Sequence, residues 1–204
     1  MEIIRADEQV VYLKNQIQNH STCFIVIQGE QRDYYAFEII SDKEAILYMT
    51  NPDWIKEVID EFLFYSGFIA EIRNENGDIL YQSRPKQKWV VKLNCIQPSQ
   101  LYVSEEKFNR LLTWIKKEED VIIPVTVLDG KFVALDGHTR LKVAEYLEFE
   151  QVTVYLDEAD IYIQDFVDFC RRENKEKIQD LPIVEKEVYQ VLWNDFCKNY
   201  FKNH

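Results

Sequence analysis

The amino-acid sequence predicts an α+β fold, and three observations carry that prediction. β-Prone runs flank Asn76-Gly77 and Asp129-Gly130, two dipeptides that favour tight hairpin turns. Apolar residues recur at helical spacing in several stretches, as over residues 108–115. The composition, 47% hydrophobic and 14% aromatic, can bury a sizeable core and is not that of a disordered chain.

The domain organisation follows from length and from one change in composition. The 204 residues suffice for one large domain or two small ones, and the best boundary is a polar, basic, proline-containing stretch at residues 83–88. We expect a small α+β domain of unknown role at residues 1–85. A mixed-sheet domain is expected at residues 88–156. Residues 157–204 should form a helical extension that packs on it.

Local patterns predict the elements of the first domain. A short helix is expected where apolar residues share one face, at Val10, Val11, Leu13 and Ile17. Strands are expected at residues 23–27, 34–40 and 45–49. The triplet Asn51-Pro52-Asp53 should open a second helix, with asparagine as N-cap and proline at the first helical position. Residues 68–73 and 79–82 then form the hairpin around Asn76-Gly77.

The second domain is expected to begin with a strand at residues 89–93 and a turn at residues 97–100. Ser104 should cap a helix with Glu105 and Glu106 in its first turn, where acidic residues are favourable. The apolar stripe of that helix is Phe108, Leu111, Leu112 and Ile115. The remaining expected elements are a hairpin at 124–135, a strand-to-helix corner at 136–140, a helix to about 147, a strand at 151–156 and helices near 158–173 and 185–200.

The charge distribution bears on the class of partner. The formal net charge is -12, with 8 basic and 15 acidic residues in 1–87, 9 and 10 in 88–156, and 7 and 11 in 157–204. Proteins that coat nucleic acid normally present a basic stripe, because lysine and arginine contacts to phosphate supply most of the non-specific affinity. DNA is therefore a disfavoured partner, although the middle segment is nearly neutral.

Several other classes are disfavoured by what the sequence lacks. No uncharged apolar run reaches about 18 residues, and the N-terminus does not resemble a signal peptide, so a cytoplasmic location is expected. The four cysteines, none in a C-x-x-C pair, are expected to be reduced and largely buried. A zinc site is not expected, because His20, His138 and His204 show no ligand spacing relative to the cysteines.

The most informative stretch is Asp136-Gly137-His138-Thr139-Arg140, where a β-prone run turns into a helix. The first backbone N–H groups of a helix have no intrahelical acceptor and lie at its positive end. Arg140 falls in the first helical turn and can add a guanidinium to the same space. Such a corner suits phosphate and other anions, so we predict a nucleotide or phosphate site here.

Three pieces of residues 89–156 occur in an order that resembles the ParB/sulfiredoxin superfamily. They are Ile96-Gln-Pro98-Ser99-Gln100-Leu101 before an amphipathic helix, Pro124-Val-Thr-Val-Leu with its hairpin, and the corner Asp136 to Arg140. Members of that superfamily include partition proteins that bind CTP and DNA, sulfiredoxins with a catalytic cysteine, and free serine kinases. The corner is most similar to the Asp-Gly-His-x-Arg form of the kinases.

The resemblance implies a role for each residue of the corner and the turn. Asp136 would be a catalytic residue and ligand of Mg²⁺, and Gly137 would let a nucleotide (ATP, ADP or CTP) approach the backbone. His138 and Thr139 would contact phosphate, His138 also as acid or base, and Arg140 would clamp the phosphate. The turn residues Ser99 and Gln100 would reach over the corner to substrate or phosphate.

Each of these residues also has a plainer explanation. Asp136 and Gly137 suit an ordinary turn, His138 suits a turn or a core, and Ser99 and Gln100 suit a turn. Thr139 could serve only as the helix N-cap, and Arg140 could pair with a carboxylate. These alternatives remain open at the level of the sequence.

One departure separates this chain from the free serine kinases. Those enzymes place a catalytic glutamate where this chain has Gln100, and an amide cannot act as a base near pH 7. Either Glu105 or Glu106 serves instead, or the protein binds nucleotide without phosphorylating serine.

Two functions from different classes are therefore expected. The first is a Mg²⁺-dependent phosphotransferase acting on a small hydroxyl compound such as free serine. The second is a non-catalytic, nucleotide-dependent regulatory or DNA-associated module. Sulfiredoxin chemistry is disfavoured because His138 occupies the cysteine position, and nuclease chemistry because no second carboxylate completes a two-metal site.

Overall fold

The computed structural model describes residues 1–6, 17 and 21–203. The helix predicted around Val10 to Ile17 lies outside the described residues, apart from Ile17 itself. The chain divides into two compact units, Met1–Lys86 and Gln87–His204, and the division falls within the stretch that the composition marks as a boundary. The helices after residue 157 belong to the second unit.

The described residues of the first unit form a six-stranded sheet and one helix. Its elements are β1 Glu2–Ala6, β2 Ser21–Gln28, β3 Gln31–Ile39, β4 Glu44–Met49, α1 Ile55–Tyr65, β5 Glu71–Asn74 and β6 Ile79–Gln82. The strands lie in chain order, and each neighbouring pair is antiparallel except β4 and β5. A parallel pair needs a crossover connection, and α1 supplies it.

Aromatic packing fixes α1 on the sheet. Phe62 of α1 stacks on Phe37 of β3 with ring centroids 4.1 Å apart, and Phe24 of β2 meets Phe37 edge-on at 5.9 Å. All three rings are buried. Successive strand residues point to opposite faces, and β2 and β3 each contain a run of consecutive buried residues, so both faces of these strands are covered. A second cluster, which includes Cys23 and Ala36, lies beside the aromatic one.

The predicted start of α1 was wrong. The helix begins at Ile55 with Trp54 as N-cap, and Asn51 lies three residues further upstream. The Asn51 side chain instead accepts the Asp53 N–H at 3.0 Å, and its amide donates to Asp33 at 3.0 Å. A partner 18 residues away in β3 therefore holds the asparagine in a turn before the helix.

The second unit holds two sheets and most of the helices. Its strands are β7 Lys88–Lys92, β8 Ile96–Gln97, β9 Val103–Ser104, β10 Ile122–Leu128, β11 Lys131–Ala134, β12 Gln151–Leu156 and β13 Ile183–Val184. Its helices are α2 Glu105–Leu112, α3 His138–Tyr146, α4 Ile163–Arg172, α5 Lys186–Tyr189 and α6 Asp195–Asn203, with one π-helical segment, Gln190–Asn194, joining the last two. The main sheet has the order β7-β12-β10-β11-β8, and β9 pairs with β13 separately.

Helices cover both faces of the main sheet. The larger core, which includes Phe108 of α2, Leu141 of α3, and Ile123 of β10, lies on one face. A smaller cluster joins Val133 of β11 to Ile163 and Val167 of α4 on the other face. Because Val133 and Ala134 are neighbours in β11 and belong to different clusters, the two cores lie on opposite sides of that strand.

Two local predictions in this unit are confirmed. The β10–β11 hairpin turns through Asp129 at φ 51° and Gly130 at φ 74°, the left-handed pair that an Asp-Gly turn provides. Ser104 caps α2, since its hydroxyl accepts the Lys107 N–H at 3.4 Å. The α+β class predicted from the sequence is likewise the class of the structure.

The C-terminal helices pack on α4 through aromatic side chains. The rings in contact are Tyr162, Phe166, Phe169, Trp193, Phe196, Tyr200 and Phe201. None of the described helices combines the length and apolar character that a membrane-spanning segment needs. All four cysteines are free thiols, and the expectation of burial was wrong for Cys95, which is exposed in the turn after β7.

Candidate anion site at the start of α3

Gly137 forms the bend between β11 and α3. It is the N-cap of α3 at φ 78°, ψ 18°, a left-handed conformation that glycine adopts without strain. A Cβ at this position would lie 2.5 Å from the Ile123 Cδ1 atom and 3.0 Å from the Arg140 Nε and Nη2 atoms. The space that the missing side chain leaves is thus filled by the protein's own side chains.

Arg140 folds back from the first turn of α3 across Gly137. Its Nη1 donates to the Ile122 carbonyl oxygen at 2.8 Å, and its Nη2 donates to Asp136 Oδ2 at 3.2 Å. The Arg140 side chain is 17% exposed and that of Asp136 is 62% exposed. The carboxylate therefore faces solvent, while the largely buried guanidinium binds the first residue of β10, the central strand of the sheet.

His138 links the corner to the turn that precedes α2. The ring is buried, and its Nε2 accepts the Ser99 backbone N–H at 3.0 Å. The Ser99 hydroxyl donates to the Ala134 carbonyl oxygen at 2.7 Å, which ties the same turn to β11. A backbone amide can only donate, so Nε2 is unprotonated and the ring is the neutral tautomer with its proton on Nδ1.

The ionisation of His138 agrees with that geometry. Burial lowers the pKa of His138 to about 4; the Asp136 carboxylate opposes this shift and the Arg140 guanidinium adds to it. A neutral imidazole whose Nε2 lone pair already accepts a hydrogen bond is not free to take a proton from a substrate. His138 thus holds the Ser99 turn against the start of α3.

The remaining predicted residues lie close by. The α3 hydrogen-bond ladder starts from Leu141 N–H to the Gly137 carbonyl at 2.9 Å, so three amides precede it, those of residues 138–140. Thr139 is half-exposed in the first turn, and the N-cap role is filled by Gly137 instead. The Gln100 amide donates to the Tyr102 carbonyl oxygen within its own turn.

Charges of the corner act on two buried phenols of the second unit, and no sequence pattern pointed to either phenol. Tyr155 of β12 is buried, and burial raises its pKa; the Arg140 guanidinium lowers it, and Asp157 and Asp136 raise it further. Tyr189 of α5 is also buried, and its pKa is raised by burial first, then by Cys197 and Asp136.

The fit of Mg²⁺ to this site depends on the nucleotide. Among the described residues, no group of three or more His, Cys, Asp or Glu side chains could hold a metal ion alone. Magnesium sites for nucleotides commonly use one or two carboxylates and take their other ligands from phosphate and water. The exposed Asp136 carboxylate fits that arrangement and does not fit a site for the free ion.

A surface groove of about 370 Å³ lies elsewhere in the second unit. Its walls include Glu145 and Phe149 near the C-terminal end of α3, Lys92 at the end of β7, and residues 177–179. None of the predicted site residues lines it. This groove is therefore separate from the candidate site at residues 136–140.

Comparisons with known proteins leave the family of this chain open. No protein-family model and no curated protein matches it. Among solved structures, a match is protein Atu1540 from Agrobacterium tumefaciens, with 14% sequence identity and a TM-score of 0.35. The match covers 48% of this chain and 62% of that one, so the chain spans less than two thirds of that protein. Nothing is transferred at this level of similarity, and the ParB/sulfiredoxin resemblance stays a prediction.

Proposed function

We propose that the second unit binds the phosphate groups of a nucleotide, ATP, ADP or CTP, at the corner formed by residues 136–140. The observation that carries the proposal is the start of α3, where amides of residues 138–140 precede the first helical hydrogen bond and Arg140 lies beside them. Amides at a helix N-terminus and a guanidinium both attract phosphate. The cytoplasm, where nucleotides are available, is the location that fits this proposal.

The ion pair between Asp136 and Arg140 can be replaced by a pair between Arg140 and phosphate when the nucleotide binds. Arg140 donates Nη1 to the Ile122 carbonyl and Nη2 to Asp136. The guanidinium can therefore keep its hydrogen bond to Ile122 while Nη2 exchanges the carboxylate for a phosphate oxygen. The released carboxylate is then the protein's ligand for Mg²⁺. When bound, that ion would neutralise charge on the phosphate groups.

The class of reaction that fits best is phosphoryl transfer to a small hydroxyl compound such as free serine. In such a transfer the substrate oxygen bonds to the terminal phosphorus, the bond to the bridging oxygen breaks, and the hydroxyl proton passes to a base. Arg140 and the amides of α3 would stabilise the charge on the transferred group. Glu105, exposed in the first turn of α2, is the carboxylate available as that base. Glu106 already pairs with Lys186 at 3.0 Å.

A second function is favoured by the absence of an evident base in the turn. Gln100 donates its amide to Tyr102 and His138 accepts from Ser99, so neither residue is placed to accept a proton. A non-catalytic module that uses nucleotide as a regulatory signal needs no base. Binding of DNA by such a module is disfavoured by the net charge of -12.

The binding proposal can be tested by thermal and calorimetric titration with ATP, ADP and CTP, each with and without Mg²⁺. A nucleotide at 100 times its Kd should raise the free energy of unfolding by about 2.7 kcal/mol. Arg140→Lys should weaken binding about tenfold or more, because lysine keeps the charge and lacks the planar fork. Arg171→Lys is the matched control, since Arg171 pairs with Asp129 and Asp168 at the other end of β11.

The outcomes separate the proposals. If no nucleotide binds the wild-type protein, the proposed function is wrong. If nucleotide binds, turnover of free serine and related hydroxyl compounds distinguishes the phosphotransferase from the regulatory module. An electrophoretic shift of duplex DNA at low salt, with and without CTP, tests the DNA-associated form of the second function.

A further inference from the structure

The surface groove of the second unit has walls that the fold holds in place. It lies between the last turn of α3, the end of β7 and residues 177–179, and its volume is about 370 Å³. The Leu93 N–H donates to the Glu150 carbonyl oxygen at 3.0 Å, and the Lys142 ammonium of α3 donates to the Gln179 carbonyl oxygen at 3.1 Å. Volumes of a few hundred Å³ are typical of sites for small molecules, so the groove is a preformed space of that size.

The lining includes three apolar side chains that the core of the unit supports. Leu93 is 9% exposed and Ile178 is 2% exposed, and both are members of the larger hydrophobic core. Phe149 packs against that core and is itself half-exposed. Because close packing holds these side chains in position, an apolar group that enters the groove leaves water for a fixed apolar surface.

Charged side chains of both signs complete the lining. It carries no net charge, because two lysines and two glutamates contribute to it. They are Lys92, Lys177, Glu145 and Glu150. Glu145 already pairs with Lys142 at 3.1 Å. Among the contacts that the described residues make, none pairs Lys92, Lys177 or the Glu150 carboxylate with an opposite charge.

These three unpaired charges favour one kind of ligand. A molecule with only a carboxylate would be attracted by the lysines and repelled by Glu150, and a molecule with only an ammonium would meet the reverse. Electrostatic complementarity therefore selects a ligand that carries both charges. A free amino acid has a carboxylate and an ammonium on the same carbon atom, and an apolar side chain on that carbon matches the rest of the lining.

We propose that this groove is a binding site for a free α-amino acid with an apolar side chain. The carboxylate of the ligand pairs with the two lysines, the ammonium pairs with Glu150, and the side chain packs on Phe149. Glu145 of the groove lies seven residues after His138, about 10 Å along the axis of α3. The groove is thus a second site, and the proposal does not depend on the binding of nucleotide at residues 136–140.

Chemical-shift titration of the full chain tests the proposal with L-phenylalanine as the probe. We expect a Kd of about 1 mM or below, with shifts at the amides of residues 145–150 and 177–179. Three analogues each lack one feature of the probe: phenylacetate lacks the ammonium, 2-phenylethylamine lacks the carboxylate, and glycine lacks the ring. Each analogue should bind about fivefold more weakly or worse. Absence of shifts at these amides in about 20 mM L-phenylalanine overturns the proposal.

Two variants test which side chain holds which charge. Lys177→Gln should weaken binding of L-phenylalanine and phenylacetate about fivefold, with 2-phenylethylamine bound no more weakly than by the wild type. Glu150→Gln should weaken binding of L-phenylalanine and 2-phenylethylamine by a similar factor, with phenylacetate bound no more weakly. Lys198→Gln and Glu173→Gln are the matched controls, because both residues are exposed and lie outside the groove. Wild-type affinity for L-phenylalanine in either Lys177→Gln or Glu150→Gln overturns the proposal.

Discussion

Replacing Gly137 by alanine tests how the corner is packed. The substitution forces an L-residue into a backbone conformation at φ 78° and brings its Cβ to 2.5 Å from Ile123 Cδ1 and 3.0 Å from the Arg140 guanidinium. The backbone strain costs about 1 kcal/mol for a non-glycine residue. Overpacking against the buried Ile123 adds about 1–3 kcal/mol, because its methyl must move. We expect Gly137→Ala to lower the free energy of unfolding by about 2–4 kcal/mol in total.

Gly130→Ala is the matched control in the same unit. Gly130 has a similar φ of 74°, but nothing lies within 4 Å of a Cβ built there. Gly130→Ala should therefore lower the free energy of unfolding by the backbone strain alone, about 1 kcal/mol. The effect of alanine on the unfolded chain is common to both variants and cancels in the difference.

Urea denaturation followed by tryptophan fluorescence measures both variants. Three of the four tryptophans, Trp89, Trp114 and Trp193, lie in the second unit, so the signal reports mainly on its unfolding. Adding Ile123→Val to Gly137→Ala should restore part of the loss by removing the methyl that the new Cβ meets. Equal destabilisation by Gly137→Ala and Gly130→Ala would refute the close packing of Ile123 and Arg140 over the bend.

Two further predictions concern stability. The neutral state of His138, with a pKa near 6.5 when unfolded and about 4 when folded, contributes stability that is complete above pH 6.5 and is lost as pH falls toward 4. At pH 5.5 the loss in the free energy of unfolding is about 1.4 kcal/mol. The His138→Gln variant can still accept the Ser99 N–H, and its free energy of unfolding, measured by urea titration, should fall less steeply across this pH window. Identical slopes for the variant and the wild type would contradict this. Ser104→Ala should cost about 1 kcal/mol by removing the cap of α2, whereas Thr113→Ala at the other end should cost less; equal losses would argue against the cap.

Features that depend on neighbouring residues could be predicted from the sequence. The turn at Asp129-Gly130 and the cap at Ser104 each need only a few adjacent residues, and both are found where expected. The start of α1 could not be placed in this way. The prediction failed because Asp33, a residue of β3, accepts a hydrogen bond from the Asn51 amide and keeps Asn51 outside the helix.

The same distinction between local features and long-range contacts applies to the candidate site. The order of residues 136–140 allowed the bend and the first turn of α3 to be predicted, because both are local. The partners of those residues could not be predicted. The His138 ring accepts a hydrogen bond from Ser99, which lies 39 positions earlier in the sequence. Arg140 donates to the carbonyl of Ile122 in β10.

The ion pair at the corner does not oppose the proposed binding of phosphate. Asp136 is 62% exposed, and a pair with so exposed a partner contributes on the order of 0–1 kcal/mol, because water and salt screen it. A charge-assisted hydrogen bond from arginine to a phosphate oxygen contributes about 1.5–3 kcal/mol. In the proposed complex, the exchange of Asp136 for phosphate would be favourable as long as the carboxylate finds a cation of its own, and Mg²⁺ that arrives with the nucleotide would be that cation. It follows that nucleotide without Mg²⁺ should bind more weakly than its magnesium complex, and that Asp136→Asn should reduce this difference. Equal affinity of the wild type for ATP with and without Mg²⁺ would show that the carboxylate takes no part.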